Sequence, residues 1–184
     1  KEEWQDVIDV HLTGTFSVVA PASKIFREQK SGRIITFSSV SGLIGYSGQS
    51  NYGAAKDGIA GFTRVVAKEL GKYGVTANAI SPGANTRMTQ SIPDSTRAMR
   101  GGSFKPAEED HFIYDPEDVA PVVAWLCTDS AGHINGEIVH AVGNRISLFN
   151  KYETRRSITK AGRWTVEELA NAVPETFGPE LINP

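Results

Sequence analysis

Tyr52 and Lys56 stand four positions apart in the stretch SNYGAAKDG. On a helix, positions i and i+4 share a face, so a phenol and an ammonium become neighbours there. An ordinary tyrosine, with a pKa of about 10, is a poor acid–base group at neutral pH. A nearby ammonium favours the phenolate, because opposite charge stabilises the ionised form. Such a pair can give a proton to an alcohol oxygen or take one from it. Ser39 lies 13 positions before Tyr52, at the end of a strand-like run, where its hydroxyl can hydrogen-bond the same oxygen. Tyrosine and lysine also occur at this spacing by chance on ordinary helices, so the pair alone defines no chemistry.

Gly42, Gly45 and Gly48 lie between Ser39 and Tyr52. A strand before them and a helix after them give the context of a dinucleotide fingerprint, but their spacing is G-x-x-G-x-x-G rather than G-x-G-x-x-G. The segment is also too long for the tight turn that seats a pyrophosphate on a helix N-terminus. They read as flexible loop glycines rather than as a phosphate cradle.

Several elements must position these residues. Trp4, Val7, Ile8, His11, Thr15, Val18 and Val19 recur at helical intervals and predict a helix over about 3–29. RIITFS is short and β-branched and predicts a buried strand. Ala55, Ile59, Phe62, Val65, Val66 and Leu70 give a second apolar face over 51–72, with Gly71 and Gly74 as stop signals. VTANAIS is a second buried strand, closed by Pro82 and Gly83. Residues 84–114 are irregular and polar, and a loop of that length is usually functional or mobile. Asp115, Pro116 and Asp118 mark the start of a third helix, and GEIVHAV is a third strand. Residues 143–164 carry no periodicity. Thr165 and Glu168 form a capping-box pattern before LANAV. Helices alternating with strands predict a parallel α/β architecture. In such sheets ligands bind beyond the carboxyl ends of the strands, where Ser38–Ser39 and Ser81–Gly83 fall.

Composition narrows the classes. With 184 residues, of which 40% are hydrophobic, the chain is long enough to bury a core. A net charge of −2 without a basic block argues against a nucleic-acid partner. No apolar run reaches the roughly 18 residues that a membrane span needs. The single Cys127 excludes an internal disulfide and makes a cytoplasmic setting the default expectation. The four histidines, at 11, 111, 133 and 140, lack zinc-site spacing, so no metal is expected.

Ser39, Tyr52 and Lys56 at these intervals, followed by NAISPG at the next strand end, resemble the short-chain dehydrogenase/reductase family over most of 1–142. The resemblance implies the C-terminal part of a doubly wound, Rossmann-like parallel sheet over 1–142, with 143–184 as a C-terminal extension. It implies an enzyme that interconverts a secondary alcohol and a ketone with NAD or NADP. Tyr52 would be the general acid/base. Lys56 would hold the nicotinamide ribose, and Ser39 would orient the substrate carbonyl. Pro82, Gly83 and Thr86 would line the nicotinamide. VIDVHLTG, GQSNYGAAK, NTRMTQ and APVVAWLC are similar to a narrower group, the (3R)-hydroxyacyl-CoA dehydrogenases of peroxisomal multifunctional enzyme type 2 and its bacterial relatives. That likeness implies an acyl thioester substrate, a 3-hydroxyacyl-CoA/3-oxoacyl-CoA pair. The family also implies a homodimer or homotetramer packed through the helices at 3–29 and 51–72.

Two departures bear on this reading. His11 stands where most of the family has an asparagine that helps link the lysine to solvent. Histidine can donate and accept hydrogen bonds, so a relay role and a packed core histidine both remain open. The family's Gly-rich pyrophosphate loop is also absent from this chain, so the resemblance implies only half of a cofactor site. It then implies that these residues alone would bind little NAD(H) and would not make a stable monomer. A catalytically silent module acting in subunit assembly is the alternative function.

Overall fold

The computed structural model describes residues 1–87 and 115–178. The expected loop at 84–114 lies outside the described residues from 88 onward. Two compact units form, Lys1–Phe149 and Asn150–Pro184.

The first unit is a four-stranded sheet in the order β1-β2-β3-β4. Strands β1 (Gly32–Phe37), β2 (Val75–Gly83) and β3 (Ile138–Val142) are parallel, and β4 (Arg145–Leu148) returns antiparallel to β3. The parallel α/β expectation therefore holds. β4 was not singled out from the sequence: its four residues, RISL, do alternate polar and apolar, but the run is too short to stand out as a strand, and its apolar Ile146 and Leu148 are exposed.

Helices cover both faces. α1 (Glu2–Ile8) and α2 (Gly14–Gln29) run on through a π-helical turn, Asp9–Thr13, and α3 (Ser50–Leu70) packs beside them. Val19, Val66, Ala67 and Leu70 meet Ile34, Val75 and Ala77 in one apolar cluster. On the opposite face α4 (Ala120–Leu126) brings Leu126 onto Ile80, Val139 and Ala141, with Ile35 packed against them. Ile34 and Ile35 thus serve opposite layers, as the two-residue period of a strand requires. Asp115 caps the 3-10 turn Pro116–Val119 that leads into α4, in a capping box with Asp118.

α3 is tied to β1 by polar contacts inside the core. Thr36 and Thr63 share a 2.6 Å hydroxyl–hydroxyl bond, and the Ser38 hydroxyl donates to the Lys56 carbonyl at 2.8 Å. Gly74, at φ +74°, ends the 3-10 turn Gly71–Tyr73 that follows α3. A Cβ there would come within 2.7 Å of the Lys30 carbonyl oxygen, so the turn demands glycine for both conformation and space.

In the second unit α5 (Val166–Phe177) begins with the expected capping box, Thr165 to Glu168. Lys160 pairs with Glu168, and Arg156 donates to the Thr176 carbonyl at 2.8 Å. Among the described residues no helix is long and apolar enough to cross a membrane.

Candidate active site

The carboxyl end of β1 runs directly into the candidate chemistry. Ser38 is almost fully buried and keeps its backbone N–H on the Ile80 carbonyl at 2.8 Å, one step beyond the last paired residue of β1. The chain then winds into a π-helical turn, Ser41–Gly45. The Ser39 hydroxyl accepts the Ser41 N–H at 3.2 Å, and its own proton has no acceptor among the described residues.

Of the three glycines of this loop, Gly42 is more than a flexible spacer. A Cβ on Gly42 would lie 2.4 Å from the Asp57 nitrogen, 2.8 Å from the Lys56 carbonyl carbon and 3.0 Å from the Gly53 oxygen. The turn is pressed onto the backbone of α3. Gly45 and Gly48 have open space around them, but both take positive φ, +79° and +77°, which suits glycine. Sequence spacing argued against the phosphate cradle. It did not reveal the contact at Gly42, which exists only once α3 is packed.

Tyr52 sits in the first turn of α3, its N–H accepted by the Asn51 side chain at 2.8 Å. The Lys56 ammonium lies 5.6 Å from the centre of the Tyr52 ring and donates to the Phe37 carbonyl at 2.9 Å. Lys56 is 9% exposed, and burial pulls its pKa below the ordinary lysine value. The Tyr52 hydroxyl has no hydrogen-bond partner among the described residues.

His11 comes from the π-helical turn between α1 and α2, and its ring meets the Tyr52 ring edge-on, 5.2 Å between centres at 84°. It is half-buried, so the packed-core reading does not describe it well. Burial first, and the Lys56 charge second, lower its pKa. An extra residue per turn re-aims side chains, and π-turns recur at functional sites for that reason. Leu12 of the same turn lies over Gly58, where a Cβ would approach its side chain to 3.0 Å.

Tyr52, Lys56 and His11 are therefore brought together, with Ser39 on the loop that packs on the same helix. Pro82 and Gly83 end β2, Pro82 exposed and Gly83 buried, and Thr86 follows half-buried. Ser81, at the same strand end, is fully buried, and its hydroxyl has no partner among the described residues. Sequence reasoning placed Ser38 at the strand end but gave it no role, and did not single out the Phe37 carbonyl. The signal for both was their place: the two residues before Ser39 at a strand's carboxyl end.

The fold and this cluster define a parallel α/β protein with a candidate tyrosine–lysine acid–base centre at the strand ends. A family profile described as enoyl-(acyl carrier protein) reductase matches residues 1–143. The chain is 43% identical over 147 residues to a 3-oxoacyl-[acyl-carrier-protein] reductase of Synechocystis, covering 79% of this chain and 57% of that protein. It is 32% identical over 185 residues to a hydroxyacyl-CoA dehydrogenase of Mycobacterium tuberculosis, covering 96% and 56%. A crystal structure of a short chain dehydrogenase from Mycobacterium avium superposes with a TM-score of 0.80 at 37% identity, covering 97% of this chain and 58% of that one. Full-length peroxisomal multifunctional enzyme type 2 from Drosophila melanogaster gives 0.74 at 28% identity, covering 96% and 30%. The chain belongs to the short-chain dehydrogenase/reductase family. It spans a little over half the length of the curated relatives it matches, 57% and 56% for the two above.

Proposed function

We propose that Tyr52, Lys56, Ser39 and His11 form the acid–base centre of a nicotinamide-dependent oxidoreductase that interconverts a secondary alcohol and a ketone. The observation that carries this reading is the convergence of three side chains from two elements. The Tyr52 ring lies 5.2 Å from the His11 ring and 5.6 Å from the Lys56 ammonium, centre to centre and centre to nitrogen.

The residues present fit the nicotinamide–ribose half of NAD or NADP. An ammonium has three donors, and Lys56 uses one on Phe37, which leaves donors for ribose hydroxyls. The buried Ser81 hydroxyl, without a partner among the described residues, lies at the strand end that carries Pro82, Gly83 and Thr86. These residues would hold the nicotinamide. When bound, nicotinamide supplies the hydride or accepts it. In the reducing direction the Ser39 hydroxyl hydrogen-bonds the substrate carbonyl oxygen, and Tyr52 gives that oxygen its proton. Lys56 favours the resulting phenolate by charge. His11, beside the Tyr52 ring, would pass a replacement proton inward from solvent. In the oxidising direction each transfer reverses.

For the substrate, the reading takes a 3-oxoacyl or 3-hydroxyacyl thioester. The support is the names of two relatives, a 3-oxoacyl-[acyl-carrier-protein] reductase and a hydroxyacyl-CoA dehydrogenase. Self-association through the helices at 3–29 and 51–72 belongs to the same reading. Val10, Val18 and Ile25 on the first and Val65 on the second are more than half exposed, and apolar side chains clustered on a surface mark association sites. The whole reading is tested by reduction of acetoacetyl-CoA with NADH and with NADPH by the intact protein, followed by nicotinamide absorbance. Turnover with either supports it. A folded protein that turns over with neither rejects it in favour of an assembly module.

A further inference from the structure

Lysine is an awkward residue to hold still, because its four-carbon stem carries rotamer entropy of roughly 2 kcal/mol. An ammonium needed at one point has to be fixed at both the root and the tip of the side chain. Two consecutive residues of β1's end do this for Lys56. The Phe37 carbonyl accepts the ammonium at 2.9 Å, and the Ser38 hydroxyl donates to the Lys56 backbone carbonyl at 2.8 Å. Ser38 is 2% exposed and Lys56 9%, so neither contact competes freely with water. The next residue in the chain is Ser39. We propose that Ser38 is a positioning residue for Lys56: it registers α3 on the end of β1 so that the lysine ammonium, Tyr52 and the Ser39 hydroxyl keep fixed relative places.

A helix carbonyl already receives an N–H from the following turn, so the Ser38 hydroxyl is not needed to satisfy the Lys56 carbonyl. A packing role alone would be filled by alanine or cysteine. The hydroxyl instead makes a second, directional bond at the one residue of α3 whose tip reaches back to the same strand end. The Thr36–Thr63 bond offers an internal comparison. It ties the same helix to the same strand, two turns further along and equally buried, but it touches neither the backbone nor the tip of Lys56.

The experiment compares Ser38→Ala with Thr63→Val in the intact protein. Lysine side-chain nitrogens are labelled, and NMR follows the titration of each ammonium, with Lys56 assigned by its disappearance in Lys56→Arg. His11 and Tyr52 face this ammonium, and Asp57 is its neighbour on α3, so their titrations are recorded in the same series. Both variants lower the melting temperature. Only Ser38→Ala moves the Lys56 titration up towards the ordinary lysine range, and Ser38→Thr restores it. A kinetic arm rests on the proposed activity. With acetoacetyl-CoA, Ser38→Ala loses roughly ten- to a hundredfold in kcat, the scale of a sub-ångström to one-ångström misplacement, with KM little changed. An unmoved Lys56 titration in Ser38→Ala, or an equal movement in Thr63→Val, overturns the proposal. If Ser38→Ala does not fold, Ser38→Cys, close in size and a weaker donor, takes its place under the same criteria. A wild-type protein inactive with both NADH and NADPH removes the functional reading, and the titration still decides the role of Ser38.

Discussion

Gly42→Ala puts the packing of the loop on α3 to a quantitative test. The added methyl would sit 2.4 Å from the Asp57 nitrogen and 2.8 Å from the Lys56 carbonyl carbon. Comfortable contacts between non-bonded heavy atoms begin at about 3.5 Å, so the loop has to retreat by about an ångström. Both neighbours are helix backbone and cannot rotate aside as a side-chain tip would. Overpacking of this kind costs about 1–3 kcal/mol. The retreat also carries Ser39 away from Tyr52 and Lys56, and a misplacement of about an ångström can lower a rate by roughly a hundredfold. Gly45→Ala is the contrast. Nothing lies within 4 Å of its Cβ, but φ is +79°, so the substitution costs about 1–2 kcal/mol of backbone strain without moving the loop against α3. Thermal unfolding and acetoacetyl-CoA reduction should therefore separate the two. Both variants are less stable, and only Gly42→Ala loses most of its kcat. A Gly42→Ala protein as stable and as active as wild type would show that the contact with α3 does not set the site.

The other expectations concern the acid–base cluster. Tyr52→Phe removes one hydroxyl and leaves the His11 ring contact, so folding survives while steady-state kinetics show a loss on the order of a hundredfold or more; full activity would end the catalytic reading. His11→Asn retains hydrogen bonding and most of the activity, whereas His11→Leu loses activity, and a fully active leucine variant would make His11 a packing residue only. His11 also links stability to pH. Its folded pKa is lowered, by burial and then by Lys56, so in the window just below the unfolded value of about 6.5 the unfolded chain binds more protons. Its contribution is present above that value and is lost as pH falls through the folded pKa. Melting temperature recorded against pH should fall more steeply on the acid side in wild type than in His11→Asn, and superimposable curves would contradict this assignment.

The sequence by itself determined the alternation of helices and strands, because the core faces of α2, α3, β1 and β2 impose their periods on the residues that fill them. It also determined the N-cap at Asp115 and the capping box at Thr165, since a cap is a local contact between residues a turn apart; that Asp118 closes a box at Asp115 too was seen only in the structure. The candidate residues Ser39, Tyr52 and Lys56 were legible for a similar reason: four positions on a helix fix a shared face, and a strand end fixes the third. Other features were decided only by tertiary structure. β4 is only four residues long, and its alternating RISL gains meaning only when it pairs antiparallel with β3. The π-helical turn that carries His11 to the Tyr52 ring, DVHLT, has the composition of ordinary helix, so no local signal marked it. Gly42 reads as a flexible loop residue until the backbone of Lys56 and Asp57 closes over it. Ser38 reads as one half of a serine doublet until its hydroxyl meets a carbonyl 18 positions away in the chain. Local periodicity records which face of an element is buried. Which atom of a distant element meets that face depends on how the layers stack, and no single segment of the sequence encodes it.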